Sequence, residues 1–251
     1  MSDVVIRPMA SLAEFKEGVR LQKEIWGFED IELLPLRLFV VASKVGGQVM
    51  GAFDGDKMVG FLLAIPGLKK GSTTYLHSHM MGVLPEYRNQ SLGQRLKLAQ
   101  REEALSRGIR LVEWTFDPLE IKNAFLNIEK LGAVVRRYVL NQYGTTTSHL
   151  HGGLPTDRCV AEWHLEHSRV KALLSKGCFD RPEVEATIAV PNEIADLRMN
   201  DPRKAREIQQ RVSDGFLALF DRGLAVTGFE RTADNGVYQF GRFNPEDGDS
   251  H

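Results

Sequence analysis

Cysteine is almost missing from this chain. Cys159 and Cys178 are the only two in 251 residues, and they make neither a CxxC pair nor a disulfide framework. A disulfide-stapled scaffold is thereby excluded, and a reducing compartment fits best. A surplus of either charge is missing too: 32 basic side chains stand against 33 acidic ones, for a net charge of −1. Neither nucleic acid nor an anionic membrane is expected as the main partner. No apolar run is long enough to span a bilayer. The opening MSDVVIRPM does not read as a signal peptide, and a cytoplasmic location is the expectation. There is no repeat of fixed period and no low-complexity tract. What remains is ordinary globular material, 43% hydrophobic and 26% charged, with a length that suits one large domain or two small ones.

The most informative stretch is HSHMMGVLPEYRNQSLGQRLKLAQR, residues 77–101. Residues 73–84 read as a strand that Pro85 stops, and a helix is expected from near Ser91 to about Ser106. Between them lies Arg88-Asn89-Gln90-Ser91-Leu92-Gly93. A turn that feeds a helix N-terminus aims unpaired backbone N–H groups at one point beside the positive end of the helix dipole, which suits a phosphate. Gly93 lets a ligand approach the backbone closely.

The rest of the chain supplies the frame. A short strand at residues 4–7 precedes Ser11-Leu12-Ala13-Glu14, a capping box, whose helix is expected to bury Leu12, Phe15, Val19 and Trp26. Pro35 suits the start of a second helix that buries Leu38, Phe39 and Ala42. Residues 48–53 and 58–65 read as strands joined by a hairpin at Asp54-Gly55-Asp56. After the long helix, residues 111–116 read as a strand. Asp117-Pro118-Leu119-Glu120 reads as a helix start, and the helix is closed by Gly132. Residues 134–140 are the next strand. Residues 143–157 are polar and turn-rich, a boundary or an active-site loop. Beyond them, strands are expected at 159–165 and 183–190 and a short helix at 168–175. An amphipathic helix from Asp201 carries Ala205, Ile208, Val212, Phe216 and Leu219, and two last strands are joined at Asn235-Gly236. Up to residue 140 the order β-α-α-β-β-β-α-β-α-β favours an α/β sheet with helices on both faces.

On the element order, on Arg88 to Gly93, and on Asn123-Ala124 with Leu131-Gly132-Ala133, the first 165 residues resemble the GNAT superfamily of acyl-CoA-dependent N-acyltransferases. The family's loop reads Q/R-x-x-G-x-G/A; Arg88 and Gly93 fit it, and Ser91 replaces the first glycine. The resemblance implies a mixed, mostly antiparallel central sheet with helices on both faces. It implies a catalytic core over residues 1–155 and a C-terminal α/β extension over 156–251 that packs on the core and could build a homodimer. It also implies acetyl-CoA, or another acyl-CoA, as co-substrate, and direct transfer of the acyl group to a primary amine of a small molecule.

That chemistry assigns roles. Arg88, Asn89, Gln90, Ser91, Leu92 and Gly93 would hold the CoA pyrophosphate. A bulge in the preceding strand, mapped near Met81, Gly82 and Val83, would offer a backbone N–H to the thioester oxygen. Asn123, with Asn127 nearby, would meet the pantetheine arm. An alkyl ammonium, with a pKa of about 10.4, must lose its proton before it can attack. His79 is the favoured base, His77 shares its face, and Glu113 on the next strand is a rival. The family's acidic tyrosine position holds Ile128 here, which leaves Asn127, Tyr138 and Tyr143 as substitutes. His149 with His151 and His164 with His167 have no matching Cys/His/carboxylate set, so no metal is expected. Arg136-Arg137 and Lys69-Lys70 could meet CoA phosphates but read first as solvated charge. Two other readings stay open: amino-acid N-succinyl transfer from succinyl-CoA, and a CoA-binding or interaction module without catalysis, which Ser91 and Ile128 motivate.

Overall fold

The computed structural model describes residues 4–71, 73–144 and 153–246. The chain divides into two compact units, Met1–Glu113 and Trp114–His251. The fold is mixed α/β, with seven α-helices among the described residues and mostly antiparallel strand pairing.

In the first unit, β1 (Val5–Pro8), β2 (Gln48–Asp54), β3 (Lys57–Leu68) and β4 (Thr74–Val83) lie in chain order and pair antiparallel. β5 (Leu111–Phe116) starts in this unit and runs parallel to β4, with Leu76 opposite Val112 and His77 opposite Glu113. Three helices cover the sheet: α1 (Leu12–Trp26), α2 (Leu36–Lys44) and α3 (Leu92–Ser106). Phe61 on β3 meets Trp26 edge-on and Phe39 at 5.9 Å, so this face carries α1 and α2. Gly82 lies opposite Phe61, and a Cβ there would stand 2.6 Å from Trp26. The other face carries α3, whose Lys97 Nζ donates to Ser78 Oγ at 2.8 Å. Cover on both sides explains why residues 48–53 of β2 are buried without alternation.

Ser11 caps α1 as its sequence predicts, accepting from the Glu14 N–H. The buried stripe is rotated from the expected one, however. Phe15, Gly18, Leu21 and Gln22 face inward, while Leu12 is 59% exposed. Gly18 decides this, because the ring of Phe39 occupies the place where a side chain would be.

The second unit holds α4 (Ile121–Phe125), a π-helical turn (Leu126–Lys130), β6 (Val134–Val139), β7 (Arg158–His164), α5 (Ser168–Lys176), β8 (Ala186–Pro191), α6 (Ile194–Asn200), α7 (Pro202–Asp221), β9 (Ala225–Arg231) and β10 (Asn235–Gly241). Its strands follow the order β7-β6-β9-β10-β8, with antiparallel pairing. Asp201 caps α7, and Ala205, Ile208, Val212, Phe216 and Leu219 are buried as the periodicity predicts. Phe216 packs among Tyr138, Tyr238, Phe220 and Phe240. Two turn readings need correcting. Asn235 and Gly236 already belong to β10, paired with Pro191 and Val190, and the reversal lies just before them, where Thr232 Oγ1 accepts from Asn235 N–H. Asp117 caps only the turn before α4, through Leu119 N–H, and its other oxygen takes Arg198 Nη2 at 2.7 Å.

Candidate functional site

β4 contains one extra residue. Ser78 lies opposite Ala64 and Met80 lies opposite Leu63, so His79 is a bulge. A bulge reverses the alternation of the strand beyond it. Ser78 and Met81, three apart, therefore both face α3: Ser78 bonds Lys97, and Met81 Cε stands 3.5 Å from where a Gly93 Cβ would be. The bulge thus lies before the mapped Met81, Gly82 and Val83, which remain in regular register with Leu62, Phe61 and Gly60.

Around the bulge the first unit gathers its titratable groups. The rings of His77 and His79 are 5.9 Å apart. His77 is the register partner of Glu113, whose buried carboxylate is ion-paired with Lys69. Lys69 in turn lies over the Tyr75 ring at 5.6 Å. The expected base candidates, His77, His79 and Glu113, are thus brought together on neighbouring strands. Burial pushes the His79 pKa below the usual 6.5, so its imidazole is neutral at physiological pH and able to accept a proton.

The loop after β4 has an unusual backbone. Asn89 has φ 60° and Ser91 has φ 59°, both left-handed without being glycine. Ser91 is the N-cap of α3 and gives the helix no side-chain cap bond. The first α3 backbone bond runs from Arg95 N–H to Ser91 O at 3.0 Å. Leu92 and Gly93 therefore present first-turn N–H groups without an intrahelical acceptor. Residues 88–91 are exposed. Arg88 does not reach over the loop: its guanidinium donates to Val83 O at 3.2 Å and Ile25 O at 3.3 Å, bracing the end of β4 against α1. Gln90 similarly donates back to Glu86 O. The loop lies at the positive end of a long helix, which fits a diphosphate.

Sequence reasoning passed over the polar chain behind this strand. Lys97 is fully buried and donates to Ser78 Oγ and to Gln100 Oε1 at 3.0 Å. Gln100 donates to Gln48, and Gln48 to Glu103. A signal was present, because Leu92, Leu96, Gln100 and Ala104 set the buried stripe of α3 and Lys97 stands directly beside it.

The second unit holds the remaining candidates. Asn123 is exposed on α4. Asn127 is buried in the π-helical turn, where its carbonyl accepts from Ala133 N–H at 3.0 Å. Ile128 is fully buried. Tyr138 is buried, and its hydroxyl meets Ser213 Oγ at 2.9 Å and Asp157 Oδ2 at 3.3 Å. Burial first, then the neighbouring Cys159 and Asp157, pushes its pKa up. Tyr143 meets Thr115 Oγ1 at 3.0 Å. Arg136 and Arg137 pair with Glu162, so they are salt-bridge partners and not merely solvated charge. Burial alone would raise the Glu162 pKa, but His164 and Arg136 outweigh it and bring it to about 2. His149 and His151 lie outside the described residues. Among the described residues no group of three or more His, Cys, Asp or Glu is arranged for a metal.

Residues 13–131 match the model of the acetyltransferase (GNAT) family. That match spans a little under half of the chain, and over it the chain is similar to the GNAT acetyltransferases. The ribosomal-protein-S18-alanine N-acetyltransferase of Escherichia coli superposes with a TM-score of 0.51 at 16% identity, over 64% of this chain and 94% of that one. Arabidopsis thaliana NAA60, in complex with a bisubstrate analogue, gives 0.52 at 14% identity, over 64% and 97%. Salmonella typhimurium yncA, with its cofactor acetyl-CoA, gives 0.53 at 16% identity, over 66% and 97%. At these identities the likeness is one of fold. A search of curated proteins returns no match. The GNAT match ends at residue 131, so most of the second unit is an extension beyond it. No described helix is long and apolar enough to cross a membrane.

Proposed function

We propose that this GNAT domain transfers an acyl group, acetyl in the first instance, from acyl-CoA to a primary amine of a small molecule. The observation that carries the reading is the continuity of one element: β4 bulges at His79 and then leads, through a loop with two left-handed residues, to the N-terminus of α3. The bound thioester supplies an acyl carbon open to attack. The first-turn amides of α3 hold the diphosphate, and Asn89 and Ser91 shape the backbone around it. The irregular backbone at the bulge is where an N–H can point at the thioester oxygen. His79 takes a proton from the incoming ammonium, freeing the amine to attack. A C–N bond forms, the C–S bond breaks, and the proton passes to the departing thiolate. His77 and Glu113 stand close enough to share or replace that role. Tyr138 has no part here, because its hydroxyl is engaged by Ser213 and Asp157.

His79→Ala should lower kcat by about 10²–10⁴-fold while leaving CoA affinity unchanged. Stopped-assay turnover and calorimetry on the same preparation check this, and an unchanged kcat removes His79 as the base. Because burial lowers its pKa, activity limited by His79 should already be near its plateau at neutral pH and should fall only below the usual histidine range. The panel should pair acetyl-CoA and succinyl-CoA with amines and amino acids. Preference for succinyl-CoA with an amino acid would favour N-succinyl transfer. Tight CoA binding without thiol release on any acceptor would show a binding module instead. Gly93→Val should weaken CoA by about tenfold or more with little loss of stability, since only Met81 lies near the new side chain, at 3.5 Å from its Cβ. Normal affinity in that variant would move the diphosphate away from α3.

A further inference from the structure

The second unit contains a cavity of about 370 Å³ lined by arginines and phenylalanines. Arg169 forms its inner end and is buried. Its guanidinium lies 3.8 Å from the centre of the Phe179 ring and donates to three main-chain carbonyls: Gly132 through Nε, Thr227 through Nη1 and Ile128 through Nη2. Those bonds account for three of its five N–H donors. All three acceptors are neutral. The charges that act on Arg169 from around it are Glu129 and Arg181, of opposite sign, and burial works against its own charge. Arg181 and Arg242 stand further out, each beside a glutamate: Arg181 Nη2 is 2.6 Å from Glu129, and Arg242 Nε is 3.1 Å from Glu185. Phe179 and Phe243 supply flat walls, with His167 5.0 Å from Phe243. Asp180 is the acidic side chain of the lining, and it is exposed.

A buried guanidinium held only by neutral groups is costly unless an anion completes it. The cavity is at the small end of ligand pockets. Its outer arginines already have carboxylate partners, so the charge left to balance is that of Arg169, which suits a monoanion. Aromatic walls suit a flat body. We propose that this cavity binds a small organic carboxylate with a planar, apolar body, its carboxylate directed at Arg169 and its body between Phe179 and Phe243.

The test uses the full chain and benzoate as probe, followed by calorimetry and by thermal unfolding. Saturable binding with a rise in Tm is expected. Acetate, which lacks the ring, benzyl alcohol, which lacks the charge, and inorganic phosphate should each bind at least about tenfold more weakly. Ala172→Phe would fill the cavity without touching a charge. It should weaken benzoate by about tenfold while the protein still unfolds cooperatively. Arg169 itself braces three carbonyls, so its removal would confuse loss of fold with loss of binding. No saturable benzoate binding overturns the proposal, as does binding that survives Ala172→Phe. Phosphate binding more tightly than benzoate overturns the choice of ligand.

Discussion

Two buried cations, one in each unit, are received in opposite ways. In the second, Arg198 is almost fully buried, and carboxylates meet it: Asp117 at 2.7 Å and Glu120 at 2.8 Å. Glu162 is likewise matched by Arg136 and Arg137. In the first unit, Lys97 is just as buried, but a hydroxyl and an amide oxygen receive its ammonium. Burial pushes its pKa well below the usual lysine range. The same unit holds Asn89 and Ser91 in a backbone region that L-residues disfavour. Asn89, Ser91 and Lys97 therefore lie along one stretch, from the loop after β4 into α3, whereas Arg198 and Glu162 of the second unit are charge-paired. Unfavourable local conformations cluster where a ligand or a reaction constrains them. Arg169, in the second unit, is a buried cation bonded by carbonyls alone, and that motivates the proposed carboxylate site.

Three substitutions can break or sharpen this contrast. Arg198→Met should have the largest effect, because it leaves Asp117 buried without its guanidinium. A loss of about 3–5 kcal/mol in urea unfolding is expected. A loss below ~1 kcal/mol would mean that the pair is not compensating anything. Lys97→Met should change stability at pH 7 much less, by roughly 1–2 kcal/mol, since the lost hydrogen bonds are offset by removal of a desolvated ammonium. Its signature is the pH profile. The folded pKa of Lys97 lies below its unfolded value of 10.5, so the unfolded chain binds more protons in that window, and wild-type stability should rise with pH toward 10.5. The variant should lose that rise, and an unchanged slope would show that Lys97 does not cause it. Ser91→Gly should have the smallest effect, a gain of about 0.5–1 kcal/mol, as relief of the left-handed strain outweighs the greater freedom of glycine when unfolded. Calorimetric unfolding would detect it; a net loss would mean that the Ser91 side chain has a role in the loop.

Much of this was legible in residue order. The Ser11 and Asp201 caps, the α7 stripe, and the strand, loop and helix from residue 74 to residue 106 follow from local rules of capping and periodicity. Other features were not legible, because they depend on partners distant in sequence. The bulge falls at His79 because β3 offers Leu63 and Ala64 to Met80 and Ser78, a register that nothing in β4 announces. The stripe of α1 is rotated because Phe39 needs the space at Gly18. The Tyr138 hydroxyl finds its partner in Ser213, 75 residues further on.

The sequence by itself determined that a turn carrying Gly93 sits between a strand and a long helix, since that signal is written in consecutive residues. It also determined that Ser91 stands where the family has glycine. Only the tertiary structure decided that Ser91 nevertheless takes the left-handed conformation, that His77, His79 and Glu113 share one cluster, and that Arg169 is a buried cation received by neutral carbonyls. The physical reason is the same in each case. Backbone propensity acts over a few residues, whereas register, burial and charge compensation exist only after distant segments have met.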